Sequence, residues 1–251
     1  MECCVGDVAD AIETLAPPDL AAAWDNAGLQ VGNTAWPVHL IWVALDPLPE
    51  VVSSACKADV DLLVTHHPLL FRPLKRVDAA TPQGAMIALA LKSDMAIYAA
   101  HTNLDAAAGG INDMLASKIG LKEVGLYTET LTDNNQHLVR IGRLPKKKSL
   151  ILLARELKKS LDVHALKIAG DPNLEVSKVF LCSGSGGNIQ KCFTMGGLHQ
   201  VKTQGWLLFR ISCDDVNHAG NRFRTIKRGS GTLDDFNPVY HNTGNSIEPV
   251  Y

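Results

Sequence analysis

The sequence contains no Cys-x-x-Cys pair, although it has six cysteines in 251 residues. A zinc site built from thiolates usually draws on such close pairs, so their absence argues against one. The cysteines are scattered and have no histidine beside them, which predicts buried, reduced thiols. We therefore expect a cytoplasmic protein.

Long apolar runs, a secretion signal and a charge excess are also missing. No apolar run reaches the roughly 18 residues that a membrane-spanning helix needs. The first residues, Met-Glu-Cys-Cys-Val-Gly-Asp, have no basic stretch followed by an apolar core, so we expect no secretory signal. The formal net charge of −2 gives no electrostatic argument for binding to nucleic acid or to a membrane.

Strand-like and helix-like segments alternate through the first half of the chain. Buried strands are predicted at residues 39–45, 61–65 and 95–100, and helices at residues 5–15, 49–57, 81–91 and 111–119. This alternation predicts a mostly parallel sheet that is built by right-handed crossovers and flanked by helices. We therefore predict an α/β protein of two lobes, residues 1–127 and 128–251.

The second half has a weaker pattern. A strand is predicted at residues 137–144, followed by Pro145 and a solvated basic turn, Lys146-Lys-Lys148, and then by a helix at residues 149–161 with a serine cap. A strand at residues 178–182 leads into Ser183-Gly-Ser-Gly-Gly187 and a helix at residues 188–195. The glycine-rich segment is either a tight turn, which is the default, or a site where backbone amides bind an anion.

Periodicity ends after Met195, so we predict an atypical tail from about residue 196. Without regular apolar spacing, a segment buries too little surface to offset the entropy lost on ordering. One run in the tail, Trp206-Leu-Leu-Phe-Arg-Ile211, is nevertheless apolar enough to supply a strand.

Histidines follow two of the predicted strands where each strand ends. His66 and His67 follow the second strand, and His101 follows the third, with Asp105 four residues later. Because the carboxyl ends of parallel strands line one edge of a sheet, we expect these side chains and Asp46, which follows the first strand, to converge. Imidazole and carboxylate groups together suit a divalent metal, so we predict His66, His67 and Asp105 as ligands.

Two alternatives remain open at this edge of the sheet. One histidine of the adjacent pair could serve only as a hydrogen-bond partner of a loop carbonyl, with no metal involved. His101 is either a direct ligand or, as we favour, a group that orients substrate or transfers a proton. We expect the residues between His101 and Asp105 to form a turn.

Three motifs, in order, resemble a known family. They are Asp25-Asn-Ala-Gly-Leu-Gln-Val-Gly32, Thr65-His-His-Pro-Leu-Leu-Phe71 and His101-Thr-Asn-Leu-Asp-Ala-Ala-Ala-Gly-Gly-Ile-Asn112. The chain is similar over roughly residues 5–195 to the GTP cyclohydrolase 1 type 2 homologues, also called Nif-three-like proteins. The resemblance implies a two-lobed α/β fold, a dinuclear metal centre that includes His66, His67 and Asp105, and a toroidal homohexamer.

The resemblance ends before the carboxyl terminus. The family's remaining ligands come from a His-x-x-x-Glu motif, which is absent here, because the last glutamate, Glu248, lies seven residues after His241. We therefore expect half a site, with one weakly held ion in place of two.

These observations predict a metal-dependent hydrolase that acts on a small molecule and uses Zn, Fe or Mn, with one or two ions per chain. The family's link to GTP makes a nucleotide or another heterocycle the first substrate to test. The alternative is a non-catalytic interaction or regulatory protein whose metal site is structural or degenerate.

Overall fold

The computed structural model describes residues 2–127, 138–163, 166, 168 and 171–184, together with the backbone of three strands at 206–211, 223–227 and 240–241. The chain divides into two compact units. The first contains Met1–Pro18, Trp24–His101 and Ala219–Tyr251, and the second contains Asp19–Ala23 and Thr102–His218. Within the described residues, no helix combines the length and the apolar character that crossing a bilayer would require.

A six-stranded sheet forms the centre of the first unit. Its elements along the chain are α1 (Val5–Leu15), a short 3-10 helix (Pro18–Leu20) that runs into the second unit, β1 (Gly28–Val31), β2 (Leu40–Ala44), α2 (Pro49–Lys57), β3 (Leu62–Thr65), α3 (Pro82–Lys92), β4 (Ala96–Ala99), β9 (Phe223–Lys227) and β10 (Tyr240–His241). The strand order is β1-β4-β3-β2-β9-β10. The three predicted strands β2, β3 and β4 pair in parallel, while β1, β9 and β10 pair antiparallel.

Strands β3 and β4 are buried because helices α2 and α3 pack on the sheet, whereas β2 is partly exposed and only its last residue, Ala44, is buried. Every residue of β4 is buried, and in β3 only Val64 is partly exposed. Val51 and Val52 of α2 and Ile87 of α3 join Leu63 and Ile97 in one apolar core. Each such buried side chain contributes about 1.5–3 kcal/mol, so this core holds the strand ends in fixed relative positions.

Local sequence explains the ends of these helices. Pro49 and Pro82 occupy first-turn positions, where proline costs no hydrogen bond. Thr81 caps α3 by accepting a hydrogen bond from the Gly84 amide. The predicted bounds of α1 and α2 are confirmed, and those of α3 differ by one residue at each end.

The second unit contains a four-stranded sheet with the order β5-β6-β7-β8. Its elements are α4 (Thr102–Ala106), α5 (Ile111–Lys118), β5 (Lys122–Leu126), β6 (Arg140–Ser149), α6 (Leu150–Leu161), β7 (Glu175–Ser183) and β8 (Trp206–Ile211). Strands β5, β6 and β7 pair antiparallel, and β8 pairs parallel with β7. The α/β fold class is thus confirmed, and the strand predicted at residues 206–211 is present.

One local prediction for the second unit is wrong, and another holds only in part. Pro145 and the basic run Lys146-Lys-Lys148 do not form a turn, because β6 continues through them to Ser149. The pairing with β7 shifts register between Arg143 and Lys148, and such an irregularity accommodates a proline that cannot donate to the ladder. Ser149 does occupy the N-cap of α6, but its side chain makes no capping hydrogen bond.

Other predictions fall outside the described residues. These are the helix at residues 188–195, most of the glycine-rich segment that precedes it, and the atypical packing of the tail outside its three strands. The two lobes, residues 1–127 and 128–251, stay a prediction.

Candidate functional site

Three parallel strands deliver the candidate residues to one edge of the first unit's sheet. Asp46 lies two residues after β2, His66 directly follows β3, and His101 lies two residues after β4. The parallel pairing continues past the strand ends, because the amides of His66 and His67 donate to the carbonyl oxygens of Ala44 (3.2 Å) and Leu45 (2.9 Å). The backbone that carries both histidines is therefore fixed, as the strand-end argument predicts.

His66, His67 and His101 form a compact group. One ring nitrogen from each lies within 4.8 Å of the other two, which is close enough for a single metal ion to bind all three. The ring centroids are 4.9 Å apart for His66 and His67, 5.2 Å for His66 and His101, and 5.5 Å for His67 and His101. Among the described residues, the structure thus brings together three of the four predicted site residues, all from the first unit.

Each imidazole is oriented by an oxygen atom at its Nδ1. Nδ1 of His66 lies 2.9 Å from the Ala100 carbonyl oxygen, Nδ1 of His67 lies 2.5 Å from Oδ1 of Asp46, and Nδ1 of His101 lies 2.7 Å from Oδ1 of Asp25. When Nδ1 carries the proton and donates it, Nε2 keeps a lone pair. Three imidazole nitrogens would form the donor set that a divalent transition metal prefers, and the carboxylate partners fix the orientation of two of the rings.

Burial keeps the His66 side chain uncharged. Burial, together with the nearby His67 and His101, lowers the pKa of His66 to about 4. His66 is therefore an uncharged imidazole at neutral pH, which is the form that binds metal. The Asp25 side chain that holds His101 is fully buried, so its charge acts on His101 through little intervening water.

The carboxylates Asp25 and Asp46 received no role from sequence reasoning. Asp46 had a signal, because it follows β2 at the same sheet edge as the histidines. Asp25 had none beyond its place in the first motif, since its partner His101 is 76 residues away. The group that holds a histidine can come from any loop, so spacing alone does not identify it.

If His101 is a metal ligand, replacing Asp25 by asparagine should weaken metal binding about tenfold, because the uncharged amide keeps the shape of Asp25 but holds the His101 ring less firmly. Competition with a fluorescent chelator measures the change. Asp94→Asn is the matched control, since Asp94 is an exposed carboxylate of the same unit and should leave affinity unchanged. Equal metal affinity in Asp25→Asn and wild type would show that His101 is not a ligand and would leave it the role of orienting substrate or transferring a proton.

The first motif also attaches its loop to the second motif. The Asn26 side-chain amide donates to the Leu70 carbonyl oxygen (2.6 Å), and the Leu70 amide donates to Oε1 of Gln30 (3.1 Å). Nε2 of Gln30 donates in turn to the Asn26 carbonyl oxygen (2.7 Å). Both polar backbone groups of Leu70 are thus bound by side chains of the first motif, which holds Asp25 and the residues after His67 in one arrangement.

Asp105 lies in the second unit, where α4 replaces the predicted turn. The residues Thr102–Ala106 form a short helix, and Asp105 is buried. Asn112 fixes this helix by donating from Nδ2 to the Asp105 carbonyl oxygen (3.0 Å), and its Oδ1 accepts from the Ser183 amide (2.8 Å). The expectation of a turn is wrong, because tertiary contacts stabilise one helical turn that is too short to give a periodic signal.

Tight packing explains the glycines that follow α4. A Cβ atom on Gly110 would lie 2.1 Å from the Leu104 carbonyl oxygen, so only glycine fits where the chain passes from α4 to α5. The third motif therefore combines a buried carboxylate with the backbone geometry that holds it.

Comparison with known families identifies the chain. The sequence profile of Duf34/NIF3 (NGG1p interacting factor 3) matches residues 3–197. The chain belongs to this family. The match ends beside Gly196, where the sequence pattern changes, and the predicted resemblance is confirmed.

Several relatives of this NIF3-family chain carry the name GTP cyclohydrolase 1 type 2 homolog. The Clostridium perfringens protein is 34% identical over 182 residues, which cover 72% of this chain and 70% of that protein. The Clostridium acetobutylicum protein is 30% identical over 88% of this chain and 86% of that protein. The Bacillus subtilis protein is 43% identical over 48% of this chain, and the match spans only 32% of that longer protein.

Solved structures show the same fold. A Bacillus cereus protein related to NIF3 superimposes with a TM-score of 0.68 at 22% identity, covering 83% of this chain and 88% of that chain. Reduced HcgD from Methanocaldococcus jannaschii superimposes with a TM-score of 0.63 at 31% identity, covering 78% of this chain and 76% of that chain. The NIF3-like α/β fold is therefore established.

Proposed function

We propose that this NIF3-family protein is a metal-dependent hydrolase that acts on a small molecule. The observation that carries the proposal is the convergence of His66, His67 and His101, which place one ring nitrogen each within 4.8 Å of the other two and have an oxygen atom beside each Nδ1. Imidazoles held in this way fit a divalent cation such as Zn, Fe or Mn. A bound divalent cation lowers the pKa of coordinated water and so supplies a nucleophile at neutral pH.

Distinct roles are proposed for the four predicted site residues. His66 and His67 would hold the metal, and Asp105 would contribute a carboxylate, as its position four residues after His101 and the family resemblance suggest. His101 would orient the substrate or transfer a proton, because the buried Asp25 carboxylate fixes its ring. His101 also lies close enough to His66 and His67 to be a ligand, so its role stays a prediction. One or two ions per chain are compatible with this set.

The proposed substrate is a nucleotide or another heterocycle. Support comes from the name GTP cyclohydrolase 1 type 2 homolog that the relatives carry. Hydrolysis of a planar heterocycle begins when water attacks a ring carbon next to a nitrogen. The enzyme then needs a nucleophile for the attack and a group that protonates the leaving nitrogen.

Turnover by the metal-loaded protein tests the hydrolase. Protein reconstituted with Zn, Fe or Mn in turn should hydrolyse at least one member of a panel of GTP, GMP and related heterocycles, and Asp105→Ala should lower the rate at least about 100-fold through loss of a ligand. Glu175→Ala is the control, because Glu175 is an exposed carboxylate of the same unit. Full metal occupancy without turnover on any member of the panel would overturn the proposal.

A second candidate is a non-catalytic interaction or regulatory protein with a structural or degenerate metal site. The description NGG1p interacting factor 3 favours it, as does the absent His-x-x-x-Glu motif. Tight metal binding that stabilises the fold, with no turnover, would support this candidate over the hydrolase.

We further propose a cytoplasmic homo-oligomer, with a hexamer suggested by the family resemblance alone. Light scattering measures the assembly directly. A monomer of 27.1 kDa at micromolar concentration would reject it.

A further inference from the structure

Two aromatic side chains stand beside the histidine group. The ring centroids of Trp24 and Phe71 are 5.9 Å apart, and they lie 6.1 Å and 6.4 Å from the His101 ring. Both rings meet His101 edge-on, at interplanar angles of 74°. In such T-shaped contacts one ring presents its edge to the face of the other, so neither aromatic ring is stacked face to face on the imidazole.

These two rings are unusual in their exposure. Trp24 and Phe71 are each 49% exposed. The other Trp, Tyr and Phe side chains that the structure describes are more deeply buried. An aromatic ring that is half exposed forfeits part of the free energy that full burial would contribute. Two half-exposed rings in mutual contact therefore indicate a surface that another molecule covers.

The arrangement of this aromatic pair is built by other residues. Trp24 precedes Asp25, whose carboxylate holds His101, and Phe71 follows Leu70, whose backbone is bound by Asn26 and Gln30. The hydrogen bonds that tie the first motif to the second thus also set the spacing of the two rings. A chance surface contact between two loops would not need this network.

We propose that Trp24 and Phe71 stack a planar heterocyclic ring of the substrate next to His101. This inference rests on the proposed function, because it names the substrate feature that the same site binds. A ring stacked on either aromatic face would lie beside the imidazole group, since aromatic partners sit 4.5–7 Å apart between centroids. The contacts of both rings with His101 favour a small ligand over a protein partner, because a molecule bound to the pair would lie directly beside the proposed site.

Ligand binding, measured by calorimetry, tests the aromatic pair separately from turnover. The probes are GMP, which has a planar base, and ribose 5-phosphate, which has the same sugar and phosphate but no base. Metal-free and zinc-loaded protein should both bind GMP more tightly than ribose 5-phosphate. Trp24→Leu and Phe71→Leu should each weaken GMP binding about tenfold or more, as loss of base stacking does in other proteins, while leaving ribose 5-phosphate binding and zinc content unchanged.

Conservative variants separate stacking from folding. Trp24→Phe and Phe71→Tyr keep an aromatic ring and should retain GMP affinity within about threefold. Leu91→Ala is the matched control, because Leu91 is a 48% exposed apolar residue of the same unit and should not affect GMP binding. Thermal melting of each variant verifies that it is folded.

Several outcomes would overturn the inference. Wild-type protein that binds GMP no better than ribose 5-phosphate would reject it, as would leucine variants with wild-type GMP affinity. A change in oligomeric state in Trp24→Leu with GMP affinity unchanged would assign the aromatic pair to an interface between copies. GMP binding that depends on the pair without turnover would instead uphold the stacking and reject only the hydrolase.

Discussion

Replacing His66 by alanine should lower affinity for Zn, Fe or Mn by more than about 100-fold. Loss of a residue that only hydrogen-bonds to a metal ligand typically lowers metal affinity about 10–100-fold, and loss of the ligand itself should cost more. His66 is the member of the group whose pKa burial lowers to about 4, so it binds metal at neutral pH without first releasing a proton. Metal content after dialysis, measured by plasma mass spectrometry, gives the result. The His66→Ala protein should retain no stoichiometric metal.

The matched control for this experiment is His39→Ala. His39 belongs to the same unit, but its side chain is 63% exposed and it pairs with Glu2 and Asp61 outside the histidine group. Its replacement should leave metal content at the wild-type value. If His66→Ala and wild type held equal amounts of metal, the histidine group would not be the metal site, and the adjacent histidines would serve only as hydrogen-bond partners of the loop.

Replacing Arg140 by alanine should destabilise the second unit by about 3 kcal/mol. The Arg140 side chain is almost fully buried, pairs with Asp113 through Nε, and donates from Nη2 to the carbonyl oxygens of Ala106 (2.9 Å) and Ala107 (3.1 Å). Truncation leaves those carbonyl oxygens and the Asp113 carboxylate without their charged donor. Hydrogen exchange of the β6 and β7 amides measures the loss, because it reports on this unit without requiring two-state unfolding of the chain.

Arg143→Ala is the control for Arg140→Ala. Arg143 lies on the same strand, but it is 53% exposed and its partner Glu123 is 74% exposed, so its replacement should change the stability of the unit by no more than about 0.5 kcal/mol.

The pKa of Asp113 reflects the same buried pair. Burial alone would raise this pKa, but the hydrogen bonds from Arg140 and from the Gly109 amide, together with the guanidinium charge, lower it. Equal exchange rates in the two arginine variants would show that the buried pair does not stabilise this unit.

Regular elements with a long apolar pattern were predictable from the sequence. Helices α1 and α2 follow the spacing of their apolar residues, and proline near the start of α2 marks its beginning. The strands β3 and β4 were predictable because strands buried on both faces read as unbroken apolar runs.

Elements that depend on distant contacts were not predictable in the same way. Helix α4 is five residues long and is held by Asn112 and Arg140, so its own sequence carries no helical period. Strand β6 passes through Pro145 because its pairing with β7 absorbs an irregularity there. In both places tertiary interactions outweigh the local preference that the sequence expresses.

The same distinction between local pattern and distant contacts applies to the residues of the candidate site. The histidines were predictable because the carboxyl ends of parallel strands meet at one edge, a rule that needs only the order of the elements. Asp25 and the aromatic pair were not, because they lie on loops whose path is set by hydrogen bonds such as those of Asn26 and Gln30 to Leu70. Loops carry function without a period that reveals it.

The pairing of β9 with β2 has a consequence for synthesis of the chain on the ribosome. Strand β2 is complete when Ala44 emerges, but its antiparallel neighbour, which ends at Lys227, emerges only after most of the chain has been translated. At 5–20 residues per second, that delay is roughly ten to forty seconds. During it, the hydrogen-bonding edge of β2 has no neighbour on that side, and nascent chains on adjacent ribosomes present the same open edge to each other.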